Sequence, residues 1–374
     1  MSRVLVVAGE ASGDLHAARL VSALRASGVE VEAFGLGGDE LAAAGVELLA
    51  HSKEIAVVGI TEVLKILPRA RRIFRELLAA VDARKPDLAI LVDFAEFNLR
   101  LAKELADRDL AVVYYVSPQV WAWRRGRVKA IGRTVDRMMV LFPFEAEFYR
   151  EHGVEVTHVG HPLVDEVPVL ESTWDRDPEP KSFRLALLPG SRGSEVAALL
   201  PTMLAAAERI AAVVPCEIRL LRAPTVEISQ LERYVSACRL PVDVVSSDRF
   251  ASIADSHLAL CASGTATLEV GLLGTPLVVL YKLHLWTYFL ARWLVDVPAF
   301  SLVNLVLGEK IVPELFQQEA SPRRVAEEGL RLLRDHEARA RVRAGLSRVR
   351  EALGEGGASA RAAQVVRDLL EAAS

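Results

Sequence analysis

The sequence predicts an α/β protein built on two parallel sheets, with a helical tail. Three observations point there. Short, almost wholly apolar runs of strand length recur along the chain, as expected for parallel strands covered on both faces. Amphipathic stretches of helix length separate them, and alternation sustained this long indicates parallel sheets. The pattern also begins twice: a strand-like run opens into a small-residue loop at 4–14 and again at 184–195.

The first series of strands is expected at 4–8, 31–36, 88–93, 111–116, 138–142 and 156–160, and the second at 184–188, 217–221, 242–245, 257–261 and 277–281. Between them, residues 175–181 are polar and hold two prolines, which reads as an exposed linker. A chain of 374 residues exceeds one ordinary domain of roughly 150. The expected division is a Rossmann-like domain over 1–170 and a second over 184–350. The tail is broken at Gly354-Glu355-Gly356-Gly357 and ends in a helix over 358–374, with Val365, Val366, Leu369 and Leu370 on an apolar face. That face must dock, and the first domain of the same chain or of a second copy is the expected partner.

Composition narrows the function. With 52% hydrophobic and 25% charged residues the chain is ordinarily globular, and a net charge of −4 speaks against a nucleic-acid partner. Cys216, Cys238 and Cys261 are scattered without a CxxC, and the eight histidines form no HExxH. Neither a disulfide framework nor a metal is expected, and the reducing cytoplasm is the expected compartment. The run at 4–8 is too short for a signal-peptide core. The longest apolar candidate, 270–281, is broken by Gly274 and Pro276 and falls short of the about 18–20 residues a span requires.

Ligands of open parallel sheets bind beyond the carboxyl ends of the strands. Four loops of that kind stand out. The first is Gly9-Glu10-Ala11-Ser12-Gly13-Asp14, whose glycines permit close backbone approach and whose following helix offers free N–H groups. It is equally a tight turn capped by Ser12 or Asp14. The second is Pro189-Gly190-Ser191-Arg192-Gly193-Ser194-Glu195, where a hydroxyl, a guanidinium and a helix start suit a diphosphate. A capped helix with a solvated Arg192 is the plainer alternative, and Pro201 is expected to set the first turns apart. The third is Ser263-Gly264-Thr265-Ala266-Thr267-Leu268-Glu269. Thr265 and Glu269 share a helical face there, and a carboxylate suits both hydroxyls of a ribose, although an i,i+4 helix pair explains them too. The fourth is Asp93-Phe94-Ala95-Glu96-Phe97-Asn98. A carboxylate at a strand end beside aromatics can serve as a general base of raised pKa, or Asp93 can simply cap the next helix.

Taken together, these segments resemble the lipid-A-disaccharide synthase family. Residues 8–14 resemble its opening signature. Tyr115-Val116-Ser117-Pro118-Gln119-Val120-Trp121-Ala122-Trp123-Arg124 resembles its tryptophan-rich run. The stretches 187–193 and 262–269 look like its donor loops, and Ser301-Leu302-Val303-Asn304-Leu305 and Glu314-Leu315-Phe316-Gln317 like its later motifs. They occur in order from Val4 to Gln317. The resemblance implies an inverting glycosyltransferase of GT-B type, two Rossmann-like domains with a cleft between them. Its donor would be UDP-2,3-diacylglucosamine and its acceptor lipid X, 2,3-diacylglucosamine 1-phosphate. The products would be a β-1,6-linked disaccharide 1-phosphate and UDP, with no metal or other cofactor. It further implies a peripheral protein on the inner face of the cytoplasmic membrane, and for some members a homodimer with exchanged C-terminal segments.

Carried over by position, Asp93 is the essential carboxylate. Ser191, Arg192, Ser263, Gly264, Thr265, Glu269, Asn304 and Gln317 fall on the UDP-sugar side. Gly9, Glu10, Ser12, Gly13, Asp14, Gln119, Trp121, Trp123 and Arg124 fall on the acceptor side. Two positions depart from the family pattern: Glu96 stands where a second Asp is usual, and Val303 where a proline precedes the asparagine, which predicts a less rigid loop.

Acylated substrates require a membrane surface. Ile60, Val63, Leu64 and Leu67 form an i, i+3, i+4, i+7 stripe beside Lys65, Arg69, Arg71, Arg72 and Arg75, and Pro68 is expected to split the helix. The aromatic stretch 285–294 is a second candidate for lipid, acyl-chain or dimer contact, and the basic run Arg124, Arg125, Arg127, Lys129, Arg133 and Arg137 could hold an acceptor phosphate. A core-facing stripe and a solvated basic helix face are the plain alternatives. The rival enzymes are other two-Rossmann UDP-sugar enzymes: the N-acetylglucosaminyltransferase acting on a lipid-linked cell-wall precursor, or a UDP-sugar 2-epimerase. A non-catalytic membrane-associated nucleotide binder is the rival from another class.

Overall fold

The computed structural model describes residues 1–55, 63–121, 125–282 and 299–373. Backbone contacts divide the chain into two units, Met1–Pro162 with Glu355–Ser374, and Leu163–Gly354.

In the first unit, seven strands form one sheet: β1 (Ser2–Ala8), β2 (Val31–Gly37), β3 (Glu47–His51), β4 (Leu88–Val92), β5 (Val112–Tyr115), β6 (Arg137–Val140) and β7 (Val156–His158). Their order is β3-β2-β1-β4-β5-β6-β7, with every pair parallel. The central strands are buried on both faces, which is why they read as unbroken apolar runs. Strand β3 escapes the sequence reading because it lies at the edge and buries only Ala50 fully. The sheet is flanked by α1 (Ala11–Ala26), α2 (Asp39–Ala43), α3 (Val63–Arg84), α4 (Ala95–Ala106), α5 (Val128–Thr134) and α6 (Pro143–Glu151). Pro68 sits inside α3 without dividing it; Ile73, Leu77 and Val81 hold the helix on the core.

The second unit repeats the plan with β8 (Phe183–Leu188), β9 (Cys216–Leu221), β10 (Val242–Val245), β11 (Leu258–Ala262), β12 (Leu277–Tyr281) and β13 (Glu314–Phe316). The order is β10-β9-β8-β11-β12-β13, again parallel. Its helices include α7 (Leu163–Glu166), α8 (Thr173–Arg176), α9 (Gly193–Ala211), α10 (Ile228–Val235), α11 (Arg249–Ala254) and α12 (Ala266–Leu272). Here too the expected break at Pro201 is absent. Helix α9 runs through it, since Val196, Leu199, Leu200, Met203 and Leu204 bury both turns around the proline.

The division between units falls after Pro162, earlier than the polar stretch at 175–181. Trp174 explains this. Its buried indole donates to the His257 carbonyl at 2.8 Å, meets the His257 ring edge-on at 4.9 Å, and lies under the Arg339 guanidinium at 3.9 Å. The chain is therefore already anchored in the second unit before the prolines are reached.

The last helix, Ala358–Ala373, returns to the first unit and packs on α1. Its buried face is Ala358, Ala362, Ala363, Val366 and Leu370, while Val365 and Leu369 are half-buried. Arg361 fastens it, donating to the carbonyls of Val159 (2.8 Å), Gly356 (2.6 Å) and Glu355 (2.7 Å).

Both sheets have a point where strand order turns back, between β1 and β4 and between β8 and β11. Ala8 pairs with Val92, and Cys261 with Leu188. The loops opening at Gly9 and Asp93 thus leave the first sheet side by side, and those after β8 and β11 do the same in the second. A topological switch point is where open parallel sheets bind ligands.

Candidate active site

Asp93 and Phe94, directly after β4, both have left-handed backbones, with φ of 49° and 50°. Two consecutive non-glycine residues in this region cost about 1–3 kcal/mol each, so other contacts must impose the turn. The Asp93 N–H donates to the Tyr115 carbonyl at 2.9 Å. The Asp93 carbonyl accepts from Asn98 Nδ2 at 2.9 Å and from the Tyr114 hydroxyl at 2.5 Å. Asn98 is fully buried on α4 and also reaches the Val92 and Val7 carbonyls, at 3.2 and 3.4 Å. Neither Asn98 nor Tyr114 was legible as a site residue, because their partners are backbone atoms of separate strands.

The Asp93 side chain does not cap α4, whose capping position is Phe94 without a side-chain bond. Its carboxyl is instead pushed up to about 6, first by burial and then by the Glu10 carboxylate, with the Phe94 amide opposing. A carboxylate so placed is suited to take a proton near neutral pH.

The β1 loop meets this turn closely. A Cβ on buried Gly9 would lie 2.3 Å from the Phe94 ring, so only glycine fits. Gly13 is buried, with the Asp93 Cβ 3.7 Å from where its own would be. Glu10 and Ser12 are exposed, and neither Ser12 nor Asp14 caps α1. Asp14, expected on the acceptor side, is engaged by the start of α2. It is buried, and its carboxylate accepts from the amides of Gly38 (2.6 Å), Glu40 (3.0 Å) and Leu41 (3.3 Å). It offsets the positive N-terminus of α2.

In the tryptophan run, Gln119 is exposed and Trp121 half-buried; Trp123 and Arg124 lie outside the described residues. The Trp121 indole donates to Glu145 Oε1 at 3.1 Å and packs edge-on against Phe144 at 4.9 Å. Glu145 also accepts from the Phe142 amide at 3.2 Å, and burial pushes its carboxyl up to about 7. Its signal in the sequence is Pro143 followed by Glu145, a helix start with a carboxylate at the third position. His16 and His161 lie nearby, lowered by burial to about 4 and 3, so both are neutral at pH 7.

Glu96 forms a two-pronged pair with Arg127, at 2.8 and 3.2 Å, so the longer acid reaches a cation of α5's approach. Arg137 lies 3.7 Å from Glu155, while Lys129 and Arg133 are exposed. On α3, Leu67 is 37% exposed and Arg69, Arg71, Arg72 and Arg75 are exposed; Ile60 and the side chains of residues 63–65 lie outside the described residues, as does 285–294. Among the described residues, no helix is long and apolar enough to cross a membrane.

In the second unit, the loop after β8 holds an anionic group of its own. Glu195 Oε2 accepts from the amides of Ser191 (2.9 Å) and Arg192 (3.3 Å), and Oε1 pairs with the Arg192 guanidinium at 3.2 Å. Gly190, with φ of 113°, makes room: a Cβ there would lie 2.4 Å from that carboxylate. Ser191 and Arg192 are otherwise exposed. After β11, Ser263 Oγ donates to the Phe300 carbonyl at 2.8 Å, Gly264 is left-handed with open space at its Cβ, and Thr265 is exposed. Glu269 joins Arg249 rather than Thr265, through Oε2 at 2.8 Å. Gln317 is half-buried at φ 52°, its N–H on the Tyr281 carbonyl.

Asn304, expected on the donor side, is engaged by its neighbours. It is buried, donates to the Val312 carbonyl (2.9 Å) and Glu314 Oε1 (2.8 Å), and accepts from the amides of Ile311 (2.8 Å) and Val312 (3.0 Å). Those four bonds use the two donors and two acceptor sites of a primary amide. It clasps the 311–314 turn. The Val303 loop is held as well. Ser301 caps the helix Leu302–Leu307 through the Val303 amide at 3.2 Å, and Glu314 accepts from the Phe300 and Ser301 amides.

The sequence profile of the lipid-A-disaccharide synthetase family matches residues 4–368. The lipid-A-disaccharide synthase of Myxococcus xanthus (strain DK1622) is 47% identical, over 98% of this chain and 97% of its own. That of Trichlorobacter lovleyi is 44% identical, over 99% and 98%. Among solved structures, the calicheamicin glycosyltransferase CalG4 is similar with a TM-score of 0.61 at 20% identity, covering 99% of this chain and 98% of that one. MurG of Acinetobacter baumannii gives 0.62 at 14%, covering 98% and 100%. The S. aureus MnaA–UDP co-structure gives 0.66 at 12%, covering 99% and 97%. These three likenesses show the fold, that of GT-B glycosyltransferases. The ordered loops at two switch points and the family match over nearly the whole length lead to one conclusion: the chain belongs to the lipid-A-disaccharide synthetase family.

Proposed function

We propose that Asp93 is the general base of this glycosyltransferase and that the loops after β8 and β11 hold its donor. The chain joins a UDP-linked sugar to a lipid X-type acceptor in lipid A biosynthesis. In the detailed reaction, the 6-hydroxyl of 2,3-diacylglucosamine 1-phosphate attacks the anomeric carbon of UDP-2,3-diacylglucosamine. Its proton passes to Asp93, the bond to UDP breaks, and configuration inverts. One observation carries the assignment: a strained, half-buried carboxyl raised to about 6 at the switch point of the first sheet. Positive charge at the anomeric carbon and negative charge on the leaving diphosphate grow together. The amides of Ser191 and Arg192 and the Arg192 guanidinium suit that leaving group, since they already hold a carboxylate. Gly9, Glu10, Ser12, Gly13, Gln119 and Trp121 are assigned to the acceptor side. Ser263, Gly264, Thr265, Glu269 and Gln317 are assigned to the donor.

Asp93→Asn tests the base. Product formation from the two acylated substrates is expected to fall roughly 10²–10⁴-fold. Near-normal turnover in a folded variant would overturn the assignment. Exposed Leu67 beside Arg69, Arg71, Arg72 and Arg75 supports contact with an anionic surface, the inner face of the cytoplasmic membrane. Flotation on anionic vesicles should weaken in Arg71→Glu/Arg72→Glu; unchanged flotation counts against this surface. A homodimer with exchanged C-terminal segments would use the contacts that the last helix makes with α1. Light scattering reads the state directly: a monomeric mass excludes it.

A further inference from the structure

We propose that a groove between α3, α4 and α5 seats one acyl chain of the substrates, and so sets chain-length preference. The inference rests on the acylated substrates of the reading above. The groove encloses about 520 Å³, within the range of small-ligand sites. Its floor is Phe74 of α3, Leu99 of α4 and Ile131 of α5, with exposed Ala130 at its open side. Arg100, Lys103 and Glu104 also line it, with the Glu96–Arg127 pair at the end of α4 that follows Asp93. From Glu96 to Glu104 the lining follows one face of α4 for eight residues, about 12 Å at 1.5 Å per residue.

Two features select the occupant. The first is continuity. The Phe74 ring meets Phe97 edge-on at 5.4 Å, Phe97 stacks on Phe94 at 5.3 Å, and Phe94 adjoins both Asp93 and Gly9. A row of half-buried aromatic rings thus runs from the groove to Asp93, an apolar track that a chain carried by a sugar at Asp93 would follow. The second is charge. An apolar floor whose lining carries three cations, Arg100, Lys103 and Arg127, against two carboxylates, Glu96 and Glu104, complements a hydrocarbon chain whose sugar carries phosphate. A nucleic acid or an acidic peptide would find the cations but leave the apolar floor uncovered.

Each methylene buried strengthens binding about fourfold, from about 0.8 kcal/mol apiece. Ala130 is exposed at the groove's open side, so Ala130→Trp fills the space without disturbing the core. The assay is kcat/KM with a long-acyl and an acetylated acceptor in detergent solution. The ratio of long to acetylated should fall about tenfold or more in Ala130→Trp. Thr134→Trp, at the far end, should shift the preferred chain to shorter lengths and serves if the first variant unfolds. An unchanged ratio in folded variants overturns the proposal. So does weaker flotation on phosphatidylglycerol–phosphatidylethanolamine vesicles with the ratio kept, which would make the groove a contact for bilayer lipid. Asp93→Asn separates the two readings. Loss of the base lowers turnover at every chain length, whereas failure of the groove leaves the wild-type chain-length ratio intact in Ala130→Trp.

Discussion

Asp93→Asn should inactivate the enzyme and stabilise it at the same time. Folding raises the Asp93 carboxyl from 3.8 to about 6, so the native state binds this proton more tightly than the unfolded state. Between those pH values the unfolded chain carries fewer protons, and stability falls as pH rises through the window. Below about 3.8 both states are protonated and the cost is absent; above about 6 it is fully present. At 1.36 kcal/mol per pH unit, the interval corresponds to about 3 kcal/mol for full burial, and the residual exposure of the side chain lowers this to roughly 1–3 kcal/mol. Asparagine keeps the shape and removes the charge. Urea unfolding at pH 7.5 should place Asp93→Asn above wild type by that amount, with a gap that narrows toward pH 4. A destabilised variant at pH 7.5, or a gap independent of pH, would refute the claim that an unfavourably buried charge is kept here for catalysis.

Other expectations follow from single contacts. The acid limb of kcat/KM should fall tenfold per pH unit below about 6, and Glu10→Gln should move that limb to lower pH by removing the neighbouring negative charge; an unmoved profile argues against the pairing. Glu195→Ala should tighten UDP binding several-fold by vacating the amides of Ser191 and Arg192, while costing about 0.5–2 kcal/mol as a lost helix cap; weaker UDP binding by calorimetry contradicts this. Asn304→Ala should destabilise by about 2–5 kcal/mol, because it leaves buried donors and acceptors of the 311–314 turn without partners. A melting temperature unchanged from wild type would contradict this clasp.

What the sequence made legible follows burial. Strands such as β1 and β4 are covered on both faces, so their composition alone marks them, and the loops at their ends follow from the alternation. Strand β13 has three residues and no such run. Within the loops, residue type was a weaker guide. The groups that bind a diphosphate or a sugar are the same groups that satisfy buried backbone amides. Asp14 and Asn304 match family motifs, yet their side chains are taken up by α2 and by the 311–314 turn. The reverse holds for Asn98 and Glu145. Each reads as an ordinary helix residue, and its importance appears only when Val7 or Trp121, distant in sequence, comes within hydrogen-bond reach.

The return of the last helix to α1 sets a timetable for synthesis. The unit that carries Asp93 is written in two instalments, residues 1–162 and 355–374, separated by the whole of the other unit. At about 5–20 residues per second, the ribosome takes roughly 10–40 s to cross the intervening stretch. For that interval α1 presents an uncovered face, and Arg361 has yet to reach Val159. The second unit, continuous in sequence, can be finished first. Any exchange of tails between copies would have to compete in that interval with the chain's own tail, which its covalent link keeps at a high effective concentration.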